Sequence, residues 1–594
     1  MKKAILFTML FMSINAFAQF ESAPAFPGAE GFGRFTPGAR GGTVNHVTNH
    51  NDSGTGSFRT AVSGTSKKIV VFDVAGYIDL KSDLTIGSNT TILGQTAPGD
   101  GITIRYRTVV FTGCDNVICR YIRFRRSQLK DVNDGADATW GRRHKNIILD
   151  HCSFSWSIDE IASFYDNRDF TMQWCTLGEA LANPGHSKGE HSYGGIWGGK
   201  GASFHHNYLT HMQNRVPRFN GARYVWDGYD KTKYENSLQA EQVDFRNCVM
   251  YNWGTGGCYG GPGGGYVNMI NNYYKAGPGT KNRTRVTQVS VANNGNSEGY
   301  ETYWGYASRY FINGNFMQAA NAENYDWKGV VYESGLTTYN GEKYIPDAKH
   351  YYGDVEYTNI SGTDHVSLRL DEPIAAGYIT THSAKTAYDK VLKYAGASFS
   401  RDSVDLRYMR ECKDGTVSHT GSKANVAGII DMINDPETGE NDPTKASYPM
   451  LNTPSRPAGF DSDNDGMPDD WEIANGLNPY SASDQKTYTI DSEKKYYTNI
   501  EVYANWLVEE QIKDSRADAE STFEEYYPNV VNPNLPGDAN TDGVVDVADI
   551  TAVASYILGS TPKPWSAANA DVNGDDSIDV GDITAIAAII LSIN

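Results

Sequence analysis

Short apolar segments separated by polar bends dominate the first half of the chain. Such segments occupy residues 68–73, 90–94, 101–104, 116–124, 146–154, 170–175, 202–207, 243–248 and 267–272. Each has the form apolar–x–apolar followed by a polar residue, which is the period-two pattern of β-strands. Helical periodicity is scarce before residue 380. The pattern therefore predicts an all-β domain.

The spacing of equivalent segments predicts how these strands are arranged. Thirty residues separate Ile118 from Ile148, and 32 separate Met172 from Phe204. Irregular periods of this length favour a right-handed parallel β-helix, because one coil cannot bury its apolar face but stacked coils form a continuous core. Asn at the bends can hydrogen-bond along the stack and tolerates left-handed backbone. An antiparallel sandwich is the alternative, and the lack of two-residue Asn-Gly or Asp-Gly hairpins between adjacent segments counts against it.

The β-helix domain is predicted to span residues 19–455. Residues 290–455 are rich in Tyr and become more helical around residues 384–394. We expect them to complete and cover the β-helix. The seven cysteines fit no metal motif, and four of them fall inside apolar strand-like segments. Buried free thiols are therefore favoured over a disulfide framework.

Residues 1–18 read as a secretory signal peptide. Lys2 and Lys3 precede an apolar run over residues 4–14, and Ala16-Phe17-Ala18 forms an Ala-x-Ala cleavage site. A membrane anchor is the alternative, but the run is too short to span a bilayer and no later stretch qualifies. No Cys follows the cleavage site, which argues against a lipid anchor. We expect a mature chain that begins at Gln19 and is exported to the periplasm, the cell surface or the medium.

The formal net charge of −19 argues against nucleic acid and anionic membranes as partners. Much of the acidic excess lies in three short loops near the C-terminus. The net charge therefore says little about the surface of the β-helix, and it does not exclude an acidic polymer as substrate.

A calcium loop is predicted just after the Pro-containing linker at residues 454–457. Oxygen ligands occur at positions 1, 3, 5, 7, 9 and 12 of an EF-hand-like pattern with Gly466 at position 6. The predicted ligands are Asp461, Asp463, Asp465, Met467, Asp469 and Glu472. Residues 499–507 then read as an amphipathic helix that could pack on the main domain. This region is predicted to span residues 456–530.

The last part of the chain, residues 531–594, contains an internal repeat with an offset of 33 residues. The first copy offers Asp538, Asn540, Asp542, Val544, Asp546 and Asp549, and the second offers Asp571, Asn573, Asp575, Ser577, Asp579 and Asp582. Each loop precedes an apolar helix, and the pair resembles a type I dockerin. The resemblance implies two calcium sites, weaker in the second copy because Asp576 replaces Gly, and a cohesin-like partner protein. A calcium-stabilised cap without a partner is the alternative.

The segment His205–Phe219 ends in Arg215-Val216-Pro217-Arg218. Proline restricts the backbone there, and two guanidinium groups are presented together to an anionic, planar group such as a carboxylate. A solvated basic loop is the alternative. The surrounding pattern, residues 25–33, 47–59, 148–153, 205–219 and 271–280, resembles the polysaccharide lyase family of pectate lyases.

That resemblance implies β-elimination on polygalacturonate with calcium. Arg215 matches the position of the base, and Arg218 and Lys188 are interpreted as carboxylate clamps, although Lys188 could be a solvated loop residue. Asp137 and Asp159 match two metal ligands. The third carboxylate would fall at Ser163, so Glu160 could replace it, with Asp134 as a further candidate. Asp150 and His151 are expected to be structural.

Three other functions stay open at this point. A lyase for methyl-esterified pectin needs no metal, but the charged residues Asp137, Asp159, Lys188 and Arg218 favour the charged polymer. A galacturonan hydrolase needs a close pair of acid and base carboxylates, and no matching Asp-Asp motif is present. A non-catalytic carbohydrate-binding β-helix would use Arg215 and Arg218 only to hold carboxylates.

Overall fold

The computed structural model describes residues 22–128, 135–293, 303–435, 442, 444–532, 535–541, 544–562, 565–575 and 577–593. The predicted signal peptide, Asp134 and Asp542 lie outside the described residues. Parallel strands form three stacks that run the length of the main domain. This arrangement confirms the predicted parallel β-helix.

The three stacks are named front, middle and third. The front stack consists of Leu84–Thr85, Val109–Val110, Thr139–Arg142, the first half of Ala162–Gln173, the start of Ile196–His205, Asn214–Phe219, Gly257–Gly260, Thr287–Val289 and Val330–Tyr332. The middle stack consists of Thr43–Val47, Lys68–Phe72, Thr90–Leu93, Val117–Arg120, Lys145–Asp150, the ends of Ala162–Gln173 and Ile196–His205, Gln242–Arg246, Tyr266–Ile270 and Arg309–Asn313. The third stack consists of Gly76–Asp79, Ile102–Arg105, Arg123–Arg125, Ser153–Ser155, Thr176–Gly178, Tyr208–Thr210, Val249–Tyr251, Tyr273–Lys275 and Phe316–Met317.

Like residues stack from coil to coil. Asn116 donates from Nδ2 to Asn89 Oδ1 at 2.7 Å, and Asn146 donates to Asn116 Oδ1 at 2.8 Å. All three asparagines have left-handed backbone, with φ between 55° and 61°. Inside the coils, the rings of Phe124 and Phe154 stack with centroids 5.3 Å apart. All seven cysteines are buried with free thiols, as predicted.

A few short helices lie between the coils, and the longer helices and a small antiparallel sheet follow them. The α-helices are Phe58–Val62, Ser237–Ala240, Ala384–Tyr394, Ser403–Asp414, Asp469–Ala474, Asn499–Trp506, Glu509–Arg516, Val547–Ile557, Ala567–Ala570 and Val580–Ile593, and the 3-10 helices are Gly94–Thr96, Gln318–Ala320, Asp326–Gly329 and Asp484–Lys486. The antiparallel strands are Thr337–Tyr339, Glu342–Pro346, Tyr357–Ile360 and Thr363–Ser367. The helix Ser403–Asp414 covers the third stack, where Arg125 donates to Asp402 and Asp405 in a fully buried ion-pair network. Among the described residues, no helix combines the length and apolarity that crossing a bilayer requires.

Residues 456–532, called the strap, pack against the first coils. Met467, Trp471 and Ile500 share a buried apolar cluster with the strand residues Ile69 and Val71. Arg34 pairs with Glu525 at 3.0 Å, and both side chains are buried. The two helices Val547–Ile557 and Val580–Ile593 pack around a separate small core formed by Ala539, Ala552, Val553, Ala570 and Ile586. The predicted helix at residues 499–507 and the two C-terminal helices are present where expected.

Candidate active site

The predicted catalytic residues lie at the beginnings of front-stack strands. Asp137 precedes Thr139–Arg142, and Asp159 and Glu160 precede Ala162–Gln173. Parallel bridges join Glu160 to Tyr193 and Tyr193 to Asn214 on successive coils. Because parallel strands in register begin at the same edge of the stack, residues far apart in sequence meet on one face.

Three carboxylates gather at this edge. Oxygen atoms of Asp137, Asp159 and Glu160 all lie within 4.8 Å of one another. Burial and the neighbouring Asp159 raise the pKa of Asp137 well above its ordinary value, while a hydrogen bond from Ser163 opposes the shift. Ser163, found where a third family carboxylate was expected, therefore supports Asp137. The cluster concentrates negative charge that a bound cation would neutralise.

Arg215 lies beside this cluster, held by two side-chain contacts and by its backbone conformation. Its Nη1 pairs with Glu160 Oε1. Its guanidinium carbon lies 4.6 Å from the centre of the Tyr193 ring, within reach of a cation–π interaction. Its backbone is left-handed, with φ of 56°, and its N–H donates to Asn214 Oδ1 at 2.9 Å. These contacts fix the guanidinium beside the carboxylates.

Pro217 explains why the strand departs from regular pairing here. Proline has no N–H to give to the ladder, so it occurs in strands mainly at irregularities. The register with Gly257–Gly260 shifts between Asn214 and Arg218. The guanidinium carbon of Arg218 lies 5.7 Å from the ring centre of Tyr259. The irregular strand thus carries both arginines on the front stack.

Lys188 lies in an exposed turn on the loop that precedes Ile196–His205. Gly189 N–H closes this turn on the His186 carbonyl at 3.0 Å. Lys188 N–H donates to His186 Nδ1 at 2.9 Å. The ammonium group is therefore carried by a solvent-facing loop.

Two histidines that the sequence reasoning missed adjoin Asp159. His186 and His191 are buried and stack with ring centroids 3.6 Å apart. Each presents Nε2 to an oxygen of Asp159 at 3.5 Å. Burial and His191 lower the pKa of His186, and Asp159 opposes this shift. The only sequence signal was that the two histidines flank Lys188 in a glycine-containing loop.

Asp150 and His151 lie at a bend of the middle stack, as expected for structural residues. Arg120 Nε donates to Asp150 Oδ2 at 2.8 Å, and His151 Nδ1 lies 2.7 Å from Asp150 Oδ1. Burial alone would raise the pKa of Asp150, but His151 and Arg120 hold it well below its ordinary value. The chain therefore uses this pair to fasten neighbouring coils together.

The predicted calcium loop forms a second carboxylate cluster in the strap. Oxygen atoms of Asp461, Asp463 and Asp465 lie within 4.8 Å of one another, and so do those of Asp465, Glu472 and Asp484. Asp484 was not predicted. The predicted ligand Asp469 instead accepts hydrogen bonds from Ser462 N at 2.7 Å and Ser462 Oγ at 2.5 Å. Met467 contributes its side chain to the core, and its N–H donates to Asp465 Oδ1 at 2.9 Å.

Comparison with known proteins identifies the family. The chain is 33% identical over 493 residues to "Probable pectate lyase C" from Aspergillus flavus, which covers 82% of this chain and 94% of that protein. It is also 33% identical over 508 residues to the protein of the same name from Aspergillus fumigatus, with coverage of 84% and 97%. The chain belongs to the pectate lyase family.

Two further comparisons concern the fold and the C-terminus. The crystal structure of the major allergen from cedar pollen is 16% identical, with a TM-score of 0.38, and the match covers 62% of this lyase and 92% of that chain. Residues 536–591 match the family described as "Dockerin type I domain". The lyase therefore carries a dockerin type I domain over these residues.

The two dockerin loops of the lyase are organised by their last predicted ligands. Asp549 accepts from Asn540 N–H at 3.0 Å and Asp546 N–H at 2.9 Å, and Asp582 accepts from Asn573 N–H at 3.2 Å and Asp579 N–H at 2.9 Å. Each loop therefore closes through hydrogen bonds to its twelfth residue. The remaining predicted ligands, Asp538, Val544, Asp571, Asp575 and Ser577, lie along the same loops, and Asp542 lies outside the described residues.

Proposed function

We propose that this lyase cleaves de-esterified polygalacturonate by calcium-assisted β-elimination and releases 4,5-unsaturated oligogalacturonides. The observation that carries the proposal is the Arg215 guanidinium, paired with Glu160 beside Asp137 and Asp159 on one face of the β-helix. Such a face offers both a base and a cation site to a uronate polymer. A neutral, methyl-esterified polymer would still need the base but would not need the cation site.

The carboxylate cluster fits a calcium ion. Asp137, Asp159 and Glu160 supply only oxygen donors, which hard cations prefer. Asp159 Oδ1 is buried and, within the described part of the chain, accepts no hydrogen bond. Burial and then the neighbouring Asp159 raise the pKa of Asp137, which agrees with this crowding of carboxylates. When bound, calcium neutralises the substrate carboxylate and so makes the hydrogen on the adjacent C5 more acidic.

Arg215 is proposed to remove that hydrogen. Its free guanidine form takes the C5 proton, the C5–H electron pair becomes the C4–C5 double bond, and the C4–O bond breaks. Water then protonates the departing oxygen, and the hydroxide that remains takes the proton from the Arg215 guanidinium and restores the free guanidine. A free guanidine is scarce at neutral pH, so the rate should rise toward alkaline pH. Glu160 and Tyr193 orient the guanidinium for this transfer.

Arg218 and Lys188 are proposed to hold substrate carboxylates on either side of the reacting sugar. Arg218 lies on the coil next to that of Tyr259. Its planar guanidinium group can donate two parallel hydrogen bonds to a carboxylate. Lys188 offers a point charge on an exposed turn that can adapt to the bound polymer. Their loss should weaken substrate binding more than it slows the chemical step.

The test is an elimination assay on the full chain. De-esterified polygalacturonate is incubated at alkaline pH with calcium, and the ultraviolet absorbance of the unsaturated product is followed. We expect turnover in the wild type and a loss of at least about 100-fold in Arg215→Ala and Asp137→Asn, since each removes a group that acts in the transition state. Arg410→Ala, on the exposed side of helix Ser403–Asp414, is the matched control and should keep full activity.

Each other outcome identifies a different function. New reducing ends without the absorbance would indicate a hydrolase. Activity only on methyl-esterified pectin, without a calcium requirement, would indicate a pectin lyase. Polymer binding without either signal would indicate a non-catalytic β-helix.

The dockerin domain is proposed to bind calcium in both loops and to attach the exported enzyme to a cohesin-like protein. Val547 and Val580, and likewise Leu558 and Leu591, occupy equivalent positions of the repeat. All four side chains are largely exposed. Exposed apolar residues at repeated positions favour a protein-binding role over a simple cap.

A further inference from the structure

The strap contains a group of acidic side chains that is not matched by Lys or Arg among the described residues. Asp461, Asp463, Asp465, Glu472 and Asp484 come together there, with overlapping sets of oxygen atoms within 4.8 Å. Within the described part of the chain, none of the five forms an ion pair with Lys or Arg, and only His46 approaches, 3.9 Å from Asp461 Oδ2. Uncompensated carboxylates packed this closely repel one another unless a cation joins them.

Glu472 gives the independent sign of a ligand. Its side chain is fully buried, yet neither carboxylate oxygen has a hydrogen-bond partner among the described residues. Asp465 is buried as well, and its Oδ2 also lacks a partner. Burying an unsatisfied carboxylate is energetically costly, so buried carboxylates are normally paired with a cationic side chain or coordinate a metal. The pKa of Glu472, raised to about 9 by burial and by neighbouring acids, agrees with this geometry.

Asp484 completes the cluster from outside the loop pattern. It begins the 3-10 helix Asp484–Lys486, twelve residues beyond Glu472. Its Oδ2 accepts from Asn478 N–H at 3.0 Å, while its Oδ1 has no partner among the described residues. Asp469 is at the ninth position of the loop, but its carboxylate accepts hydrogen bonds from Ser462. Asp484, from a later segment, is therefore a better candidate ligand than Asp469 of the loop pattern.

The cluster lies directly against the first coils of the β-helix. His46 Nε2 contacts the Asn464 carbonyl at 3.2 Å, and Gln485 Nε2 donates to the Gly42 carbonyl at 3.4 Å. Gly466, with φ of 94°, packs so tightly against the coils that an added Cβ would lie 3.2 Å from Val44 Cγ1 and 3.3 Å from Val71 Cγ1. The shape of the loop therefore controls how the strap fits the coils.

We propose that Asp461, Asp463, Asp465, Glu472 and Asp484 bind a structural calcium ion that clamps the strap to the β-helix. Five carboxylates and the loop carbonyls give the oxygen-rich, highly charged environment that calcium prefers over magnesium. The ion removes the repulsion in the cluster and links two loop segments that both contact the first coils. The site is separate from the active site and does not depend on the proposed reaction.

The test compares Asp484→Asn with Asp469→Asn in the full chain, without substrate. Calcium alone is titrated by calorimetry, and thermal unfolding is measured with calcium and with chelator. We expect Asp484→Asn to weaken one calcium site by on the order of tenfold or more, because a charged ligand is lost, and to abolish most of the calcium-induced rise in Tm. Asp469→Asn should keep both signals.

Neutral substitutions also separate a loss of calcium binding from a failure to fold. Asp484→Asn and Glu472→Gln are nearly isosteric and reduce repulsion, so both should be at least as stable as the wild type in chelator. If the Tm of the wild type is the same with calcium and with chelator, the proposed calcium clamp is wrong. Loss of the site in Asp469→Asn with retention in Asp484→Asn would overturn the assignment of Asp484. Neither result bears on elimination by Arg215, which the absorbance assay measures separately.

Discussion

At the scale of single residues, the neighbours of Arg215 determine where its guanidinium group lies. An arginine on a strand is ordinarily a solvated cation, but here Glu160, Tyr193 and the left-handed backbone hold it next to Asp137 and Asp159. Glu160 takes part in both the ion pair and the carboxylate cluster. A change at this residue should therefore affect metal binding and base orientation together.

Glu160→Gln keeps the size of the side chain but removes its charge. We expect the calcium concentration for half-maximal activity to rise about tenfold, because one anionic ligand is lost. Initial rates of product absorbance against calcium concentration measure this. Glu323→Gln, which alters an exposed ion pair with Lys385, is the control and should leave the requirement unchanged. An unchanged requirement in Glu160→Gln would exclude this residue as a ligand.

At the scale of elements, the middle stack and the strap meet over a line of buried rings. Tyr121, His151, Trp174 and His206 stack along successive coils. His206 Nε2 lies 2.9 Å from His382 Nδ1, and His382 Nε2 lies 2.9 Å from the Ala517 carbonyl in the strap. The β-helix thus contacts the strap through neutral imidazoles.

This contact predicts a loss of stability in weak acid. Burial and the adjacent His382 and His205 hold the pKa of His206 well below its ordinary value, and Arg246 and His151 act in the same direction. The unfolded chain therefore binds this proton more readily than the folded protein. The stabilising contribution is complete above the unfolded pKa of about 6.5 and declines as the pH falls below it.

Calorimetric Tm values at saturating calcium between pH 8 and pH 5.5 test this prediction. We expect Tm to fall below pH 6.5 in the wild type and to fall less steeply in His206→Gln. His419→Gln, which changes a histidine near the surface that contacts the Thr444 carbonyl, should follow the wild type. A parallel decline in His206→Gln would show that other groups control the acid response.

At the scale of the whole molecule, the strap shares a buried apolar cluster with the β-helix, whereas the described dockerin residues form a cluster of their own. The strap shares an apolar cluster with Ile69, Val71 and Leu93 and supplies buried partners to Arg34 and Arg120. The described apolar core of the dockerin domain consists only of its own residues. The two C-terminal regions should therefore respond differently to removal.

A chain that ends at Asn532 should keep the Tm and the elimination rate of the full protein. A chain that ends at Pro457 should fail to fold, because exposing several core side chains at about 1.5–3 kcal/mol each exceeds the usual margin of stability. Soluble yield, Tm and activity of the two truncations decide this. A stable, active protein ending at Pro457 would show that the strap is dispensable.

Local sequence patterns predicted much of the fold and part of the candidate chemistry. Period-two segments, coil spacing and Asn bends sufficed for the parallel β-helix, because each coil repeats the same short-range requirements. The Arg215–Arg218 segment and the regular loop spacings marked the candidate chemistry. Residues such as Asp137 and Asp159 were predicted through the family pattern rather than through their physical surroundings.

Only the tertiary structure decided which side chains meet across coils and segments. His186 and His191 lie 27 and 32 residues after Asp159 in the sequence, and they reach it because the stacked coils bring the loop before Ile196–His205 next to the start of Ala162–Gln173. Asp484 joins Glu472 because the strap folds back on itself, which no spacing rule for a twelve-residue loop contains. The sequence determined the repeating unit, since that depends on neighbours in the chain. The fold decided the charge clusters and the attachment of the strap, since these depend on neighbours in space.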